Sequence, residues 1–102
     1  MKENEFQSGL IKELRKIFKG CIVTKLDARY KQGIPDLLIL FGKRWATLEC
    51  KRSANAKRRP NQKLYVDRMN KMSFSRFIFP ENKEEVMNEL RQFFEPDRTR
   101  DI

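Results

Sequence analysis

Apolar residues return every three or four positions between Glu3 and Phe18. Phe6, Leu10, Leu14 and Ile17 share one stripe, widened by Ile11 and Phe18. This spacing predicts an amphipathic helix that stops near Gly20. The pattern then changes: Cys21–Asp27 holds the β-branched run Ile22, Val23 and Thr24 and predicts a strand. Ala28–Gly33, ARYKQG, is a polar connection. From Pro35-Asp36 to Phe41 apolar residues occupy both faces, Leu37, Ile39 and Phe41 against Leu38 and Leu40, which predicts a central strand covered on both sides. Pro35 is tolerated at the opening, where a strand need not donate to the ladder. Gly42-Lys43 makes a short turn into a third strand, from about Arg44 to Lys51. A loop then leads to a helix near Asn61–Met72, with Leu64, Val66, Met69 and Met72 on a less regular apolar side. Ser73–Pro80, with Phe74, Phe77, Ile78 and Phe79, reads as a fourth strand. Glu81–Phe94 returns to helical periodicity, with Val86, Leu90, Phe93 and Phe94 inward and Glu81, Glu84 and Glu85 near its positive N-terminal end. The polar tail from Glu95 is expected to fray. The order α-β-β-β-α-β-α implies an α/β (α+β) fold, a mixed central sheet flanked by helices.

Composition narrows the class. A chain of 102 residues accommodates one domain, here 1–102 with a core from about 3 to 94. With 39% hydrophobic and 36% charged residues it reads as folded rather than disordered. No apolar run approaches the ~20 residues of a membrane span, and the N-terminus carries no signal-peptide core, so a cytoplasmic protein is expected. Two cysteines, Cys21 and Cys50, both between apolar residues of predicted strands, read as buried thiols rather than a disulfide or zinc site. Histidine is absent, which removes Ser-His-Asp and Cys-His catalysis. Any catalysis must come from carboxylates and lysine.

The net charge is +9 and is unevenly spread: 19 Lys+Arg against 7 Asp+Glu through Pro80, then 4 against 7. A basic body suggests a polyanionic partner, nucleic acid before membrane. The densest run is Lys51–Lys63, with six basic residues and no acid.

Candidate chemistry lies beside that run. Side chains alternate along a strand, so Glu49 and Lys51 share one face while Leu48 and Cys50 share the other. Asp36, at the start of the preceding strand, can converge on them. Three charges at the edge of apolar strands need compensation. A divalent cation between Asp36 and Glu49, with the Cys50 backbone carbonyl as a further ligand, would supply it. Lys51 could then hold an attacking water or a scissile phosphate, which implies phosphodiester hydrolysis. The plainer reading of the same residues is a surface Glu-Lys pair with Asp36 in a turn.

Pro35-Asp36 followed by Glu49-Cys50-Lys51 resembles the signature of the PD-(D/E)xK nuclease superfamily. The helix-strand-strand-strand-helix-strand order resembles its restriction-endonuclease-like αβββαβ core, here with an extra C-terminal helix. GIPDLLIL, LECKR and Pro60-Asn61-Gln62 are similar to the VRR-NUC branch and its small stand-alone phage and bacterial members. That resemblance implies a structure-selective nuclease or Holliday junction resolvase, a phage source, and roles in DNA recombination and repair. It implies Mg²⁺, with Mn²⁺ left open, held by Asp36 and Glu49, and Lys51 as the catalytic lysine. It also implies an acid from the first helix, Glu3 on the inward stripe or Glu5 as the fallback, and a site glutamine at Gln62. No second domain for target recognition is present in this sequence, which speaks against sequence-specific cutting.

Arg52, Lys57, Arg58, Arg59 and Lys63 would track phosphates on this reading, with Arg29, Tyr30 and Lys31 on the other side of the site. Two symmetric cuts at a four-way junction would require a homodimer, for which Trp45, Phe74, Phe77 and Phe79 are available. A flap- or end-directed nuclease, a non-catalytic nucleic-acid-binding protein and an RNA-binding accessory protein remain as alternatives.

Overall fold

The computed structural model describes residues 1–96. Its elements follow the predicted order: α1 (Glu3–Ile17), β1 (Ile22–Lys25), β2 (Leu37–Phe41), β3 (Arg44–Cys50), α2 (Pro60–Met72), β4 (Phe74–Ile78) and α3 (Lys83–Phe94). The sheet order is β1-β2-β3-β4. The first two pairings are antiparallel and β3–β4 is parallel, as a strand-helix-strand connection through α2 requires. Three helices on a four-stranded mixed sheet make this an α+β fold.

The hairpin register follows from a two-residue turn. Phe41 pairs with Arg44, leaving Gly42 and Lys43 as the loop, and Gly42 adopts φ 61 as such turns demand. On one face of the sheet, Phe6, Leu10, Leu14 and Phe18 of the α1 segment meet Leu37, Ile39, Ala46, Leu48 and Cys50, with Val86, Met87 and Leu90 of α3 completing the core. Phe18, Phe41, Phe93 and Phe94 form an aromatic cluster with neighbouring centroids 5.2–5.8 Å apart. On the other face α2 lies over β3 and β4. That seam is partly polar: Thr47 and Ser75 hydroxyls are hydrogen-bonded at 2.7 Å inside it.

Several boundaries and orientations differ from the sequence reading. The first strand is shorter than Cys21–Asp27, because Asp27 turns the chain and accepts the N–H groups of Tyr30 and Lys31 through its carbonyl. Cys21 precedes the strand, its N–H bonded to the Phe18 carbonyl, and is half-buried, whereas Cys50 is buried as expected. In α2 only Val66 is buried; Leu64 and Met72 are 50% and 65% exposed, since the helix covers just half the sheet. For the same reason β2 is central but not covered on both sides: Leu38 is half-buried and Leu40 is 40% exposed. The last helix begins at Lys83, so Glu81 precedes it and instead accepts the Ala54 N–H, pinning the basic loop to the α3 end. Met87 is buried where Phe93 is only half-buried. The expected fraying of the tail falls, from Asp97 onward, outside the described residues. Among the described residues no helix is long and apolar enough to cross a membrane.

Candidate active site

The hairpin register assembles the site. Leu37 pairs with Leu48, so Asp36 lies one step further along, across from Glu49. Asp36 Oδ2 accepts the Cys50 N–H at 2.8 Å. A strand residue's N–H and C=O point to the same side, so the Cys50 carbonyl also faces the Asp36 side. Glu49 and Lys51 project from the opposite face to Leu48 and Cys50, toward α2, and are 3% and 8% exposed.

Gln62 joins them. It is the third residue of α2, and its Oε1 accepts the Arg59 N–H at 3.0 Å, one half of a capping box. The same Oε1 accepts from Lys51 Nζ at 2.8 Å, while Gln62 Nε2 donates to Glu49 Oε2 at 2.9 Å. Two donors on one side and a carboxylate on the other fix the amide's orientation. Lys51 Nζ itself lies 3.9 Å from Glu49 Oε2, so the glutamine carries most of the link between acid and base.

The electrostatics of the acids are those of a charge left uncompensated. Glu49 is pushed up to about 8 by burial, then by the neighbouring Asp36 charge, with Lys51 acting against both. Burial also raises Asp36, against the lowering effect of the Cys50 N–H. Glu49 Oε1 is buried and has no hydrogen-bond partner. A buried anionic oxygen without a partner is costly unless a cation or proton satisfies it.

These donors fit a hard divalent cation. Asp36, Glu49 and the Cys50 carbonyl are all oxygen ligands, and the orphaned Oε1 is the group such an ion would satisfy. Among the described residues no three His, Cys, Asp or Glu side chains converge closely enough to cage an ion by themselves. Two carboxylates and one carbonyl are fewer oxygens than a divalent cation takes, so an ion held here would complete its shell with water or with oxygens from a bound molecule. Of the two acids weighed on α1, Glu3 is the one whose charge acts on Asp36, Glu49 and Cys50. Glu5 lines a separate hollow with Phe6, Glu13 and Lys83. Glu3 is exposed, so it contributes field at the rim of the site.

The cleft in front of these groups is two adjoining hollows of about 520 and 640 Å³ that share Lys57, Arg59 and Gln62. Asp36 and Glu49 line the first; Glu3, Lys51 and Arg52 line the second. Lys57, Arg59 and Arg52 thus stand on the cleft, and Lys63 is one turn into α2. Two of the arginines assigned to phosphates from sequence have other contacts. Arg29 forms a bidentate pair with Asp27, Nε to Oδ1 and Nη2 to Oδ2 both at 3.2 Å. Arg58 lies over the Phe77 ring, its guanidinium carbon 4.4 Å from the centroid. The Arg29 pair is local, between residues of one turn, whereas the Arg58 contact depends on a ring that folding supplies.

No family model matches the sequence, and no curated protein matches it. A solved structure does. The chain is similar in fold to a VRR_NUC domain protein, with a TM-score of 0.68 over 91% of this chain and 88% of that one, at 17% sequence identity. An identity this low speaks to the fold alone, and the fold is the one expected from the motif order.

One site feature escaped the sequence reading. Gly33 has φ +91, and a Cβ built there would meet Asn61 Cβ at 2.5 Å. The connection after β1 therefore closes directly onto the N-terminus of α2 and forms a wall of the cleft. Its sequence trace is the glycine that opens GIPDLLIL, directly before Ile34-Pro35-Asp36, whose close approach to α2 no periodicity predicts.

Proposed function

We propose that the protein is a Mg²⁺-dependent endonuclease that hydrolyses DNA phosphodiester bonds and selects branched DNA, in the manner of a Holliday junction resolvase. The observation that carries the reading is the buried Asp36–Glu49 pair with its unsatisfied Oε1, set beside Lys51 in a cleft rimmed by cations. Asp36, Glu49 and the Cys50 carbonyl would hold the ion, and Mn²⁺ suits the same oxygens. The chemistry such an ion supplies when bound is Lewis acidity toward water and phosphate oxygens. Lys51 Nζ, held by Gln62, is placed to orient the attacking water or a non-bridging phosphate oxygen. Lys57, Arg59, Arg52 and Lys63 draw the backbone across the cleft, and Lys31 continues that surface beyond Gly33. Glu3 adds negative charge at the rim where the cation enters. Two symmetric cuts across a junction call for a C2 homodimer.

The deciding experiment compares a labelled four-way junction, a flap and a linear duplex of equal length, in Mg²⁺ and in EDTA. Paired Mg²⁺-dependent nicks near the branch are expected. Preferential cutting of the flap would make it a flap nuclease instead. Asp36→Asn keeps an oxygen to accept the Cys50 N–H while removing the charge, so folding and DNA binding should persist and cleavage should vanish. Unchanged cleavage by that variant would remove Asp36 from the mechanism.

A further inference from the structure

Beside the cleft lies a further hollow of different character, about 430 Å³ in volume. Leu26, Ile34, Leu38 and Met69 form its apolar walls, with Tyr30 and Lys31 at its mouth. It exists because α2 stops short of covering β2, leaving Leu38 half-exposed. Ile34 lines both this hollow and the carboxylate cleft, so the two adjoin.

Tyr30 is 89% exposed, the most exposed of the large apolar side chains among the described residues. The loop that presents it is braced: the Arg29 N–H reaches Asp27 Oδ1 at 2.8 Å, and the Tyr30 and Lys31 N–H groups reach the Asp27 carbonyl at 3.1 and 3.2 Å. Gly33, seated against Asn61, anchors its other end. An aromatic ring with so little packing of its own, on a loop held this firmly, is pre-organised for contact with something outside the chain.

We propose that this slot receives one unstacked nucleobase next to the scissile phosphate, with the Tyr30 ring stacking on it, and that this selects branched DNA over intact duplex. The proposal rests on the nuclease reading and names its specificity determinant. The charge pattern suits the occupant. The one carboxylate at the slot, Asp27, is paired to Arg29, while Lys31 on the rim is placed for the flanking phosphate. Extruding a base is costly from a paired stack and cheap at a branch point or mismatch, so a base slot turns unpairing into preference. Aromatic stacking tolerates any base, which agrees with selectivity for shape rather than sequence.

Two measurements test it. Junction and duplex cleavage in Mg²⁺ are compared for the wild type, Tyr30→Ala, Tyr30→Phe and Leu38→Lys, the last filling the slot floor with charge. Separately, binding of Asp36→Asn to a junction with 2-aminopurine at the branch is followed by fluorescence, with and without Tyr30→Ala. A roughly tenfold fall in the junction-to-duplex ratio is expected for Tyr30→Ala and Leu38→Lys, restored in Tyr30→Phe. The 2-aminopurine quench should disappear with the ring. An unchanged ratio, or a quench that survives Tyr30→Ala, overturns the proposal. So does a wild-type dimer that sedimentation shows becoming monomeric in both slot variants, which would assign the slot to a second copy of the chain. If no DNA is cut in any metal but the Tyr30-dependent quench remains, the nuclease reading fails while the base slot stands.

Discussion

Glu49 is 3% exposed, one of its oxygens has no partner, and its nearest charged neighbours include another carboxylate. Its carboxyl is raised from an ordinary 4.5 to about 8, so between those values the folded protein keeps a proton that the unfolded chain has released. The metal-free protein should therefore lose stability as pH rises from about 4.5 through about 8, and Asp36, also raised, adds in the same direction. Melts in EDTA across this range check the sign; a rising Tm would contradict it. Mg²⁺ should restore more stability at pH 8 than at pH 5, because it competes with that proton. Glu49→Gln removes the buried charge and supplies an amide where Oε1 is orphaned. It should stabilise the metal-free protein at pH 8 by roughly 1–3 kcal/mol, a Tm rise of several degrees, while abolishing cleavage.

Gln62 belongs to the same scale. It holds Glu49 Oε2 and Lys51 Nζ in one arrangement without being an acid or base itself. Gln62→Ala should lower Mg²⁺-dependent cleavage by about 10–100-fold, as loss of partners behind metal ligands commonly does. Gln62→Glu should not rescue it, since a third carboxylate would repel Glu49. A Gln62→Ala enzyme at full rate would show that Lys51 needs no positioning.

At the scale of elements, the site depends on contacts between segments. The loop after β1 meets the start of α2 through Gly33, which has both a positive φ and no room for a Cβ. Gly33→Ala should cost more than about 1 kcal/mol, and the strain should fall on the cleft wall. Chemical denaturation and cleavage measured together would show both losses. A neutral result would mean that the loop can move away from Asn61. The β2–β3 hairpin is the more self-contained element. Its two-residue turn sets the register, and the register places Asp36 opposite Glu49, so alternation along β3 and the position of Asp36 at the strand opening were enough to name the candidates. The partial cover of β2 could not be read that way. Leu38 and Leu40 look like core in a sequence, and only the position of α2 over β3 and β4 leaves them open.

For the whole molecule, charge is the governing quantity. DNA affinity should fall steeply with salt, each neutralised phosphate adding about −0.9 to the slope of log K against log salt. Lys57→Ala or Arg59→Ala, on the cleft, should each reduce that slope by about 1. Arg58→Ala should change it less and cost some stability, because its guanidinium packs on Phe77. Equal slopes for all three variants would show that Arg58 leaves its ring to reach the backbone.

The sequence by itself determined the order of elements, the mixed sheet and the convergence of Asp36, Glu49 and Lys51. These follow from local periodicity and from one short turn, where neighbours in space are neighbours in pattern. Tertiary structure decided the rest. It chose Glu3 over Glu5 as the acid whose field reaches the site, and it clamped Lys51 to Glu49 through Gln62. It tied Arg29 to Asp27 and Arg58 to Phe77, and it left an apolar slot beside the carboxylates. The slot depends on how far one helix extends over a sheet, the Gln62 clamp and the Arg58–Phe77 contact on side chains from separate segments that meet only in the fold, and the Arg29–Asp27 pair on a local turn; no period along the chain encodes these.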